Sequence, residues 1–273
     1  RRHTRLQGDW SSDVCSSDLG ALAADANGAF IGVTTGAVDG STSQSAQAVT
    51  EWSPEGDRMT VRSSLPNNRR YSPSAVSERD VIGAFDDLLP KRTTNTIEDH
   101  RPLGVVVRQE NYSWSFADYK HMVFFHWVIK NTGAPLRNAW LGLYNELASG
   151  NKNSYSNWPP GSNWFKKKQI AWVDSLNMFT ERYCLSLPIP GGCFYSTAPE
   201  IVGVKLLGVR PGRVADPDKK VTMQSWNFAP GDTVRDEDRE RYAIMSAGDR
   251  KSTPSELQSP CNLVCRLLLE KKK

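Results

Sequence analysis

An all-β fold, an antiparallel two-sheet sandwich with one or two short helices, is what this 273-residue sequence predicts, and three observations predict it. Four runs rich in aromatic and β-branched residues, Val105 to Arg108, Asn111 to Phe116, Met122 to Lys130 and Asn138 to Tyr144, follow one another with turn chemistry between them. In the third run Val123, Phe125, Trp127 and Ile129 share one face and Met122, Phe124, His126 and Val128 share the other, and both faces are largely apolar. Such a strand is expected at the centre of a fold, covered on both sides, and two packed antiparallel sheets offer that cover without crossover helices. Helical spacing is confined to two short stretches, near 77–87 and 236–245.

Residues 20–50 are rich in Gly, Ala, Ser and Thr, with a β-branched piece from Phe30 to Thr35, and read as one or two edge strands followed by a polar loop. From Trp52 to Ser64 the chain alternates, Met59, Val61 and Ser63 against Arg58, Thr60 and Arg62, between Pro54-Glu55-Gly56 and Pro66-Asn67-Asn68. That is a half-buried strand with a turn at each end. Ser77 followed by Asp80 resembles a capping box, and Val81, Ile82 and Phe85 recur at helical spacing before Pro90, which predicts a short helix over 77–87. The four central strands come next, the last two joined by Asn131-Thr132-Gly133-Ala134-Pro135. A loop rich in Asn, Ser, Pro and Gly spans 149–163, and further strands are expected at Gln169 to Asp174, Ile201 to Val209 and Val221 to Ala229. A charged helix around Asp236 to Met245 closes the series, its early acids suited to the helix dipole and Glu237 spaced to pair with Arg241.

The two ends read differently. Asp9 to Leu19 back-translates to a DNA that resembles a sequencing-library adapter, and Ser255 to Pro260 can be encoded by the reverse complement of a DNA spelling Gly8 to Asp13. Residues 1–19 and 251–273 are therefore expected to be non-native flanks and are set aside. Two regions remain, 20–100 with the N-terminal strands, loop and short helix, and 101–250 with the sandwich core, expected to be truncated at its C-terminal end. The flank 1–19 carries three Arg and three Asp, and 251–273 carries five basic and two acidic groups, so the chain's +4 shrinks to about +1 over 20–250. A nearly neutral body gives no reason to expect a nucleic-acid partner. The apolar run Leu267 to Leu269 is too short to span a membrane.

Catalytic motifs are absent: there is no nucleophile elbow, phosphate loop, dinucleotide fingerprint or zinc-protease helix motif. In a strand through 121–129, His121 and His126 fall on opposite faces, which defeats joint metal ligation. His126 is expected to pack inside the covered sheet. Asp86 with Asp87, and Asp232, Asp236, Glu237 and Asp238, are acidic enough to hold calcium but fit no EF-hand spacing. No cofactor and no catalytic residue is assigned. Cys184 and Cys193, the two cysteines left between the flanks, bracket a loop with two prolines and two glycines. A disulfide there needs Cα atoms within about 7 Å and restricts the unfolded chain by about 2–3 kcal/mol. Oxidised, the pair implies an extracytoplasmic setting; the alternative is two free thiols. Tyr155, Trp158, Trp164 and Phe165 stand beside Lys166, Lys167 and Lys168. Tyr155, Trp158 and Trp164 could stack on a sugar ring, the segment could stack single-stranded bases, or the rings fold back as the loop's own anchor.

Several local stretches carry a family resemblance. They are Tyr71-Ser72-Pro73 with Ala75 to Glu78, His100 to Gly104 leading to Tyr112-Ser113-Trp114-Ser115, Ile129 to Gly133 followed by Leu141 to Tyr144, and Arg241 to Gly248. Over about 71–250 the chain resembles large, uncharacterised extracytoplasmic bacterial proteins with Asn-Thr-Gly-type β-sandwich regions. The resemblance implies a secreted or surface-attached parent with further domains, and a strand beyond the Met245-Ser246-Ala247-Gly248 position. Where the resembled proteins carry an acidic Asp-Trp-Asp-like run, this chain has Asn145-Glu146-Leu147, which weakens any metal role there. The expected function is a non-catalytic structural or adhesive module, with a possible glycan or cell-surface partner. Alternatives are a carbohydrate-binding module using the 155–164 loop and a fragment of a glycoside hydrolase, whose paired carboxylates would need about 5–10 Å separation.

Overall fold

The structure, a computed structural model, describes residues 16–26, 28–34, 52–54, 59–88, 101–145, 168–176, 178–183, 201–210, 221–225, 238–246 and 261–267. Its strands in chain order are β1 Ser16–Asp25, β2 Gly28–Thr34, β3 Ser53–Pro54, β4 Thr60–Arg62, β5 Arg79–Asp87, β6 Val105–Ser113 and β7 Phe124–Asn131. There follow β8 Arg137–Asn145, β9 Lys168–Val173, β10 Met178–Tyr183, β11 Ile201–Lys205, β12 Val221–Ser225 and β13 Cys261–Leu267, with, among the described residues, one α-helix, α1 Asp238–Ser246, and a 3-10 turn at Asp174–Leu176. The fold is all-β, and every strand pair is antiparallel. Among the described residues the strands form three sheets where the sequence suggested two: β12-β13-β8-β1-β2, then β3-β5-β6-β7 with β4 also on β5, then β11-β10-β9.

Alternation of side chains across the strands decides what each sheet buries. In the first sheet Leu19, Ala21, Ala23 and Ala139 face a common core that also takes Val105 and Val107 of β6, with Leu103 and Trp52 beside them. Trp172, Val204 and Leu206 from the third sheet and its continuation pack partly buried against that core. The other face of the first sheet receives α1. Gly20, Val33 and Trp140 lie in one cross-strand row, Met245 is fully buried on Val33 and Trp140, and a Cβ on Gly20 would press on Tyr242 and Met245. A bulge between Gly20 and Leu22 accompanies Asn138 in the left-handed region, φ 48°, which Asn tolerates better than most residues. The Asn138 carbonyl accepts the Tyr242 hydroxyl at 2.8 Å, tying the helix to the sheet.

Several expectations are corrected. The segment 77–87 is not helical: Arg79–Asp87 is a strand paired along its whole length with β6. Val81 and Ile82 are β-branched and Gly83 follows them, so once two neighbouring strands offer hydrogen bonds the extended state wins. The run through Phe125 and Trp127 forms β7, but β7 ends its sheet rather than sitting at the middle of it. Phe125, Trp127 and Ile129 are half-buried, whereas His126, Val128 and Lys130 are exposed, so it is covered on one side only. The run Val105 to Arg108 and the first three residues of the run Asn111 to Phe116 belong to one strand, β6, while Trp114 to Phe116 lie beyond it, and its partner β5 came from the supposed helix. The strand expected at the edge near residue 20 lies inside the first sheet, between β8 and β2.

Both flanks contribute strands. Ser16 to Leu19 pair with β8, Leu19 is fully buried, and Cys261–Leu267 runs between β12 and β8. Strands from 20–100 likewise share sheets with strands from 101–250.

The Asn131-Thr132-Gly133 turn carries the chain from the second sheet into the first. Gly104, at φ 73°, turns its carbonyl to the Thr132 N–H at 2.8 Å, the Gly133 N–H at 2.9 Å and the Thr132 hydroxyl at 2.8 Å. Asn131 completes the turn, its Oδ1 accepting the Gly133 N–H and its Nδ2 donating to the Ala134 carbonyl. The backbones of Gly104 and Gly133 approach so closely that a Cβ on Gly104 would stand 2.9 Å from the Gly133 Cα, which excludes a larger residue on two counts.

Candidate functional site

Strands β4 to β7 run alternately up and down, so the connections 63–78 and 114–123 leave the second sheet at the same end. This end is the candidate site. Connection 114–123 carries a cluster of rings: Trp114 meets Phe124 edge-on at 5.6 Å and 81°, Phe116 meets Tyr119 at 6.4 Å and 83°, and Tyr119 lies 6.3 Å from Phe124. Edge-to-face contact holds such rings together with about 0.5–1.5 kcal/mol beyond simple burial. The outer members remain open to solvent, Phe116 at 55%, Val123 at 52% and Met122 at 45% exposure. Backbone hydrogen bonds from Tyr119 and Lys120 to the Phe116 carbonyl and from Met122 to the Tyr119 carbonyl fix the tip in tight turns.

Connection 63–78 is held from below by Asp80. Its fully buried carboxylate accepts the Ser77 N–H at 2.8 Å, the Ser77 hydroxyl at 2.7 Å and the Val76 N–H at 2.9 Å, and pairs with Arg62 at 3.4 Å. Asp80 thus reaches back to Ser77 as the last residue of a capping box would, but the chain continues as a strand. Ser77 Oγ in turn accepts the Ser113 N–H at 3.2 Å, and Glu78 accepts the Ser115 N–H at 2.9 Å, so the two connections are joined.

Below the tip, the open face of β6 and β7 carries a charged row. Glu110 accepts the Tyr112 hydroxyl at 2.6 Å and contacts His126 Nδ1 at 2.9 Å, and its other oxygen pairs with Arg108 at 2.7 Å. The Tyr112 hydrogen bond, helped by His126 and Arg108, holds the Glu110 carboxyl below the usual carboxylate range against the opposing pull of partial burial. Burial first, then the hydrogen bond to Glu110 and its charge, pushes the Tyr112 hydroxyl up to about 12. A carboxylate held ionised is a poor general acid, and a phenol at that value is a poor base near neutrality. The row ties β6 to β7 through Glu110 and His126.

These shifts fix a pH dependence. Glu110 is depressed in the folded chain, so its contribution is present above its unfolded value and is lost as pH falls through the folded one. Tyr112 is raised, so its contribution holds below the unfolded value and is lost as pH rises toward about 12. Because Arg108 and His126 are exposed, solvent screening keeps the acid effect to about 0.5–1 kcal/mol. The expected result is that the gap in thermal midpoint between the parent chain and Glu110→Gln narrows as pH falls from about 6 to about 3; a gap constant over that range would contradict the pairing.

The residues singled out from sequence fare unevenly. Tyr155, Trp158, Trp164, Cys184, Cys193, His100, Asp232, Asp236 and Glu237 lie outside the described residues. His121 sits exposed in the turn before β7, not in the strand, and His126 is exposed on Glu110 instead of buried. Asp86 and Asp87 point to opposite sides of β5 and do not share a cation: Asp86 accepts the Leu88 N–H, whereas buried Asp87 accepts the Thr34 hydroxyl and the Leu103 N–H, both at 2.6 Å. Asp238 is buried at the start of α1. Among the described residues no group of three or more His, Cys, Asp or Glu comes together, and no helix is long and apolar enough to cross a membrane. The aromatic tip was missed because Trp114 and Phe116 read as strand residues; the signal was Ala117-Asp118 interrupting the alternation. No protein-family model, curated protein or solved structure matches the chain.

Proposed function

We propose that the chain is a non-catalytic adhesive module that attaches to a surface through the end of its second sheet. The observation that supports this reading is the exposed tip of Phe116, Met122 and Val123, large apolar side chains held in place by bonded turns although about half of each is open to solvent. Exposed apolar groups grouped at one spot on a folded chain are the usual mark of a contact surface. A secreted or surface-attached bacterial parent belongs to the same proposal, on the family resemblance, and a Cys184–Cys193 disulfide is proposed with it.

The test is retention of the purified full chain on immobilised bacterial envelope fragments. Phe116→Ser with Met122→Ser is expected to weaken retention tenfold or more, since each side chain is worth about 1.5–3 kcal/mol when fully buried, while the thermal midpoint shifts only slightly, as for most exposed positions. Unchanged retention would refute the reading, as would a hydrolytic turnover abolished by Glu110→Gln.

A further inference from the structure

The end of the sheet that carries the apolar tip also carries cations. Connection 63–78 exposes Arg69 and Arg70, Arg79 is exposed at its base, and Lys120 is exposed on the tip itself. The acids do not balance them. Asp80 is turned inward onto Arg62 and Ser77, which leaves Glu78, bonded to the Ser115 N–H, and Asp118 as two acids against four cations. Connection 63–78 adds apolar groups of its own, Val76 at 56% and Leu65 at 43% exposure. Its shape is kept by the Ser63 N–H to Arg70 carbonyl and Ser72 N–H to Ser63 carbonyl bonds, both 2.9 Å, and by the Ser64 N–H to Ser77 carbonyl bond. Two connections held by backbone hydrogen bonds therefore place apolar side chains and guanidinium or ammonium groups at one end of one sheet.

Resting on the adhesive reading above, we infer that this end docks on an anionic phospholipid surface, with Phe116, Met122 and Val123 entering the boundary between headgroups and acyl chains and Arg69, Arg70 and Lys120 meeting the phosphates. Two arguments select this occupant. Charge is the first: exposed cations beside an apolar tip match a surface that is negative at its face and apolar just beneath it, and long basic side chains reach back to phosphates while their stems stay in apolar surroundings. Ring geometry is the second. Sugars and bases stack on free ring faces, but here Trp114 with Phe124 and Phe116 with Tyr119 meet edge to face, so one ring of each pair has a face covered by the other's edge and the rings stand at steep angles instead of forming one flat platform.

The experiment is co-sedimentation of the full chain with vesicles of phosphatidylcholine alone, vesicles of phosphatidylcholine with phosphatidylglycerol, and, as a soluble polyanion, a thymidine oligonucleotide bound to beads. Retention is expected on the phosphatidylglycerol vesicles only, and it weakens as salt is raised. Arg69→Ala with Arg70→Ala is expected to cost about 30-fold, a factor of about five for each cation near the surface, and Phe116→Ser with Met122→Ser tenfold or more. Retention on the oligonucleotide that equals the vesicles and ignores Phe116 would overturn the inference in favour of a plain polyanion site. Failure on both vesicle types, with tip-dependent retention on envelope fragments intact, would overturn the lipid partner and leave the adhesive reading standing. Failure on the fragments as well would remove both.

Discussion

Asp80→Ala is expected to lower the unfolding free energy by about 3–5 kcal/mol, the range for removing one partner from a buried charged network. The carboxylate has no exposed surface, and its loss strands the Val76 and Ser77 N–H groups, the Ser77 hydroxyl and the Arg62 guanidinium together. Arg62 keeps one contact, to Ser74 Oγ at 3.0 Å. Asp80→Asn retains an acceptor oxygen but no charge, and is expected to cost about half as much. Denaturant titration of the three proteins measures the difference. Amide exchange should also show residues 63–78 opening in Asp80→Ala well before the strands do. A loss under about 1 kcal/mol would show that the buried carboxylate is not what holds the connection.

Asp87→Ala is expected to cost about 2–4 kcal/mol, for a related reason in a different place. Asp87 closes β5 at the opposite end from Asp80, and its 2.6 Å bonds run to Thr34 of β2 and to the Leu103 backbone just before β6. One carboxylate therefore joins the first sheet to the second across the shared core. The diagnostic variant is Asp87→Ala in a Thr34→Val background. If the Thr34 bond carries the effect, the double variant will be more stable than the sum of the single losses implies, because the hydroxyl is no longer left buried without its acceptor. Strict additivity would place the effect elsewhere in the Asp87 environment.

Much of the strand content was legible, because alternation and β-branched composition are local signals. The runs at Met122 to Lys130, Asn138 to Tyr144 and Gln169 to Asp174 fall on β7, β8 and β9 within a few residues, and the charged helix falls on α1. What failed was partner choice. Val81, Ile82 and Phe85 suit one face of a helix and also a strand, and only the presence of β4 and β6 on either side decides between them. The apolar pattern of β7 suggested cover on both faces, but Val128 remains 47% exposed and Phe124 is occupied by the rings of the tip rather than by a second sheet. β10 was missed because Met178 to Tyr183 mixes Thr, Glu and Arg with aromatics, and its buried Glu181 breaks the expected pattern. Setting both ends aside removed β13 and the first turn of pairing in β1. The candidate site was the least legible part. No single motif marks it, and its members come from two connections some forty residues apart that only the up-and-down order of β4 to β7 brings together.

The place of β8 sets the order in which the first sheet can be assembled. Leu141 stands opposite Leu19 on one side and Cys265 on the other, roughly 120 residues away in each direction. Closing loops of that size spends chain entropy before any contact repays it, so the sheet forms late and slowly compared with the local hairpins β1 with β2 and β6 with β7. On a ribosome β8 emerges with its first neighbour already made and its second not yet synthesised. Until Cys261–Leu267 arrives, that flank of the strand stands open, and the nascent chain is exposed to pairing with the wrong partner.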